Sequence, residues 1–162
     1  MDGSDIEIEE QVRRFGQRLR LRRTEAGLSQ LALAKRAGVD LAAVSFLERA
    51  KRAPNLNTLV RVARAADVTP AMLLEDEQRP RSARRAALAD DEQDPLKRFG
   101  ANLRSARDTA RMSQEALAHE AKLDRAAISI IERGTRAANL RTILKLARAL
   151  KVPPSSLLRG IG

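Results

Sequence analysis

Apolar residues recur every three to four positions along much of this chain, the spacing of helices that each bury one face. Val12, Phe15 and Leu19 mark a first such face. A second follows Ser29, a hydroxyl N-cap, and carries Leu33, Ala34 and Ala37. Gly38 then offers a turn residue that tolerates positive φ, and Asp40 caps a third helix with Val44 and Leu47 inside. Pro54-Asn55 opens a fourth helix with Leu56, Leu59, Val62, Ala63 and Ala66, and a fifth after Thr69-Pro70 holds Leu73 and Leu74.

The whole pattern then returns at a constant offset of 84 positions. Phe15-Gly16 falls on Phe99-Gly100, Ser29-Gln30 on Ser113-Gln114, Glu48-Arg49 on Glu132-Arg133 and Leu73-Leu74 on Leu157-Leu158. About half of the roughly 60 aligned positions are identical and no gap is needed, which is the mark of internal duplication. Asp94-Pro95 starts the second copy as an N-cap followed by proline at the first helical position. The expected organisation is an acidic extension at 1–11, a helical domain at 12–74, a polar linker at 75–94 and a second helical domain at 95–160. The fold class is all-α, with two tandem five-helix units.

Composition narrows what such a pair does. Of 162 residues, 43% are hydrophobic and 32% charged, enough apolar material for a packed core. Lys and Arg number 31 against 21 acidic residues, a formal charge of +10 that favours polyanionic partners. Cysteine is absent, excluding disulfides and thiolate chemistry, and neither a signal-peptide core nor a membrane-length apolar run occurs; a cytoplasmic protein with no membrane partner is expected. With no Trp or Tyr and three Phe, platforms for stacking unpaired bases are lacking, so duplex DNA is favoured over single strands. His119 is the sole histidine and has no ligand set or nucleophile around it in sequence; no metal, no cofactor and no enzymatic activity are expected.

Function concentrates in the second and third helices. The very short turn at Gly38-Val39 forces them to cross steeply and leaves the third protruding, as entry into a major groove about 12 Å wide requires. Ser-Gln opening the second helix, Leu-Ala in its middle and Ser-x-x-Glu-Arg closing the third occur in both copies, and with them the chain resembles the Cro/repressor (Xre) family of helix-turn-helix proteins over 12–74 and 96–158.

That resemblance implies a transcriptional regulator that binds double-stranded DNA. Gln30 and Gln114 match a position that touches the DNA backbone or a base edge, and Lys51, Arg52, Asn55, Arg136 and Asn139 lie in the loop that grips phosphates. Glu48 with Arg23, and Glu132 with Arg107, resemble the family's internal salt bridge. Base readers fall at Leu41, Ala42, Ser45 and Phe46 in copy one and at Arg125, Ala126, Ser129 and Ile130 in copy two.

The two reading surfaces therefore differ. Arg125 is able to make a bidentate contact to guanine, whereas Leu41 and Phe46 are confined to apolar contact with thymine methyls. Three readings stay open. Either both copies read an asymmetric operator and the chain is a repressor, or copy one has become a protein-binding surface and the chain is an antitoxin, antirepressor or antiactivator, or the chain is a nucleoid-type packaging protein that binds DNA without sequence preference. Family members generally dimerise, so one chain acts as a pseudo-dimer or two chains pair. Arg79, Arg81, Arg84 and Arg85 in the linker either follow the DNA backbone or form a solvated spacer.

Overall fold

The computed structural model describes residues 2–75 and 94–162; the linker arginines 79, 81, 84 and 85 lie outside the described residues. Nine α-helices and one 3-10 turn are present among the described residues, in two copies of one arrangement. Copy one comprises α1 (Gly3–Glu25), α2 (Gln30–Ala37), α3 (Leu41–Glu48), α4 (Leu56–Ala65) and the 3-10 turn Ala71–Leu73. Copy two comprises α5 (Pro95–Thr109), α6 (Gln114–Ala121), α7 (Arg125–Glu132), α8 (Leu140–Ala149) and α9 (Pro154–Leu157).

Local chemistry sets most of the boundaries. Ser29 and Ser113 cap α2 and α6 by accepting from Ala32 N and Ala116 N, each at 3.0 Å. Gly38 ends α2 in the left-handed region at φ 61°, where a missing Cβ removes the usual cost. Asp40 and Asp124 differ from expectation: each supplies the extended backbone of an N-cap, but neither carboxylate accepts a capping bond. Pro70 starts only a single 3-10 turn in copy one, where copy two forms a short α-helix. The acidic segment at 1–11 is helical from Gly3, continuous with the rest of α1 and capped by Asp2.

Phe15 and Leu19 of α1 meet Leu33, Val44, Leu47, Leu56 and Leu59 in one core; Phe99, Leu103, Leu117, Ile128, Leu140 and Ile143 fill the corresponding places in copy two. Gly16 and Gly100 permit the first and third helices to touch. An added Cβ would lie 2.5 Å from the carbonyl oxygen of Leu47 in one copy and of Glu132 in the other.

The copies also pack on each other. Leu56 N donates to Ala138 O and Leu140 N donates to Pro54 O, both at 2.8 Å. Shifting one of these bonds by 84 positions generates the other, so the contact is self-complementary, as in a twofold dimer. α1 lies against α8, α4 against α5, and the 3-10 turn against α9.

Candidate nucleic-acid interface

Burial on one side of the third helix decides what its other side offers. In α3, Val44, Leu47 and Glu48 face inward, leaving Leu41 (46% exposed), Phe46 (40% exposed), Ala42 and Arg49 outside, with Ser45 at the margin. In α7, Ile128 and Ile131 face inward, Arg125, Ala126 and Arg133 stand outside, and Ser129 and Ile130 are half-buried. The base-reading residues expected from sequence are thus gathered on one face in each copy.

Arg49 and Arg133 entered the sequence reading only as the last residue of Ser-x-x-Glu-Arg, not among the DNA contacts, yet they stand exposed on that face. The Arg49 guanidinium sits 5.7 Å from the centre of the Phe46 ring and donates from Nη2 to Ser45 Oγ at 2.9 Å. Arg133 makes the backbone part of this arrangement, Nε to Ser129 O at 3.3 Å. The available signal was the spacing: an arginine four residues after the serine is one helical turn further along the same side.

The third helix is braced from behind in both copies. Arg23 donates to Glu48 through Nε at 2.5 Å and Nη2 at 3.1 Å; Arg107 does the same to Glu132 at 2.6 and 3.2 Å. Burial pushes the Glu132 carboxyl up, but hydrogen bonds from Arg107 and Gln114 outweigh it and hold the group below the usual carboxylate range. The same bond to Glu132 raises Arg107. Gln30 and Gln114 belong to these networks: their Nε2 atoms donate to Glu48 and Glu132 at 2.8 and 2.9 Å, so each amide is turned inward in this state.

Around this face lie the loop residues. Lys51, Arg52 and Arg136 are exposed. Asn55 and Asn139 have a further task that the phosphate reading did not include. They cap α4 and α8, accepting from Thr58 N at 2.9 Å and Thr142 N at 2.8 Å, and stand opposite one another where the copies meet. Positive charge and helix N-termini therefore lie beside the junction, a setting suited to phosphate. Among the described residues no cluster of metal-binding side chains occurs, and no helix is long and apolar enough to cross a membrane.

Residues 19–73 and 103–157 each match the helix-turn-helix family HTH_3, together more than half of the chain. The chain belongs to this family. It is a Cro/repressor-type, DNA-binding helix-turn-helix protein of transcription regulation, present as two units in one chain. Control protein C.BamHI of Bacillus amyloliquefaciens is 49% identical over 61 residues, which is 37% of this chain and 75% of that protein. The crystal structure of the restriction-modification controller protein C.AhdI from Aeromonas hydrophila is 45% identical, with a TM-score of 0.38, covering 38% of this chain and 94% of that one.

Proposed function

We propose that this helix-turn-helix protein is a sequence-specific repressor of transcription that occupies two half-sites of duplex DNA with a single chain, placing α3 and α7 in successive major grooves. The self-complementary contact at Pro54–Leu56 and Ala138–Leu140 carries the reading. It joins, within one molecule, the loops that follow the two third helices, and two-fold pairs of helix-turn-helix units span half-sites about 34 Å apart. Arg49, Lys51, Arg52, Arg125, Arg133 and Arg136 supply cations around both faces. Similarity to a protein named as a control protein supports a regulatory role over a packaging one.

Exposed Leu41 and Phe46 favour a second reading for copy one, a surface for another protein. Selection from random genomic duplexes, with sequencing of the bound pool, separates the two. Repression through DNA reading requires enriched sites that disappear with Arg125→Ala, a loss of about 1–3 kcal/mol at the affected base. Leu41→Ala/Phe46→Ala is expected to relax a second, distinct part of the site. No enrichment at physiological salt, with retention of a protein partner that depends on Leu41 and Phe46, would sink the DNA reading.

A further inference from the structure

In copy two the first helix begins at Pro95, the equivalent of Gln11, after its N-cap Asp94, and the positions equivalent to residues 3–9 lie outside the described residues. The first two turns of α1 lie across the other copy. Glu9 accepts from Arg141 Nε at 2.5 Å and Nη2 at 3.0 Å, Arg148 donates to Ser4 Oγ and pairs with Glu7, and Asp2 pairs with Lys122. Ile8 is 4% exposed beneath them.

The contact with Lys122 is the informative one. Lys122 forms the turn between α6 and α7, three residues before Arg125, and holds a left-handed conformation at φ 53°. Copy one uses glycine at the same place, Gly38, which removes the cost of a Cβ there. The strained lysine carries a side chain that reaches the arm; Gly38 has none to offer. At its other end α1 is fixed to the close of α3 by Arg23 and Glu48, and Phe15 and Leu19 set it in the core of copy one. One continuous helix of 23 residues thus joins the end of one exposed third helix to the start of the other. A helix of that length spans about 34 Å, close to one turn of duplex.

We infer that α1 is a ruler: its acidic arm fixes the separation and rotation of α7 relative to α3 and thereby sets which half-site spacing the protein accepts. This rests on the DNA reading above. The linker alone sets no spacing, since 20 extended residues reach about 66 Å. Besides the arm, the copies are held by the paired bonds close to the pseudo-twofold axis, by α4 on α5 and by the 3-10 turn on α9. The arm acts away from that axis, where a restraint resists rotation.

The test uses the full chain. Sites recovered by the wild-type protein from random duplexes are rebuilt with their half-sites moved by one or two base pairs. Each pair shifts the second groove by about 3.4 Å and turns it by about 35°. Wild type is expected to lose about 10-fold or more in affinity per pair, and the Asp2→Lys/Glu9→Arg protein less than about 3-fold, because a freed copy regains its avidity at several spacings. Glu9→Arg/Arg141→Glu, which restores the pair with its charges exchanged, is expected to recover most of the wild-type dependence. Asp2→Asn/Glu9→Gln is the milder variant if the reversed protein unfolds, and is expected to move the same way. A wild-type spacing penalty retained by folded arm variants overturns the ruler. Failure of the wild-type chain to enrich any sequence overturns the DNA reading itself, and the ruler with it.

Discussion

A single missing methyl group holds each unit together. Gly16 and Gly100 sit where α1 meets α3 and α5 meets α7, with backbone carbonyls where a Cβ would go. Gly16→Ala or Gly100→Ala is expected to cost about 1–3 kcal/mol through overpacking against backbone that has little room to retreat. That exceeds the roughly 0.5–1 kcal/mol by which alanine favours a helix over glycine. Thermal unfolding followed by circular dichroism checks this, with Gly3→Ala as the control, since nothing lies within 4 Å of its added Cβ. Unchanged melting in both core variants would refute the clash. At this scale the sequence was legible where chemistry is local: Ser29 and Gly38 act at helix ends as their side chains dictate. It was not legible where a partner is remote. Phe-Gly stands out as a repeated pair, but the carbonyls that require the glycine lie about 30 residues away. Gln30 gave no sign of turning inward, because Glu48 alone determines that direction.

Helices two to four of each unit follow from apolar period and caps, and their reading faces follow from which positions that period buries. The arm did not. Its acidic residues look like a solvated extension, and their partners Lys122, Arg141 and Arg148 lie more than 100 positions away. Arm docking also has a pH dependence with a definite sign. The hydrogen bond from Arg141 holds the Glu9 carboxyl below the usual carboxylate range, and the bond from Lys122 does the same for Asp2. Folded values below unfolded ones mean that this contribution is complete at neutral pH. It is lost as the pH falls through the folded values, which lie beneath the usual carboxylate range. Both groups are partly or fully exposed, so solvent screens the pairs and the pH-dependent contribution is modest. Amide chemical shifts of residues 3–9, followed from pH 7 downward, are expected to change before those flanking Phe15 and Phe99. In Glu9→Gln the early step should shrink. Simultaneous change at arm and core in the wild-type chain would show that the arm has no separate transition.

At the scale of the molecule, duplication and symmetry have different origins. Duplication is written in the 84-residue offset, whereas the pairing of the copies depends on Pro54, Leu56, Ala138 and Leu140 meeting through backbone groups, which no side-chain pattern encodes. Those groups are used up inside one chain. A second chain that sought the same contact would have to displace Leu56 N from Ala138 O and Leu140 N from Pro54 O, and would also have to lift α1 from α8. Tethered copies compete at an effective concentration of roughly millimolar, so exchange between chains is disfavoured at ordinary protein concentrations. One chain per duplex is therefore expected on a site with both half-sites, with a simple hyperbolic isotherm that does not steepen on dilution. Sedimentation or light scattering of the complex measures this directly, and a duplex carrying one half-site should bind the same single chain far more weakly. Two chains on one two-half-site duplex, or assembly that sharpens with protein concentration, would show that the internal contact gives way to an intermolecular one.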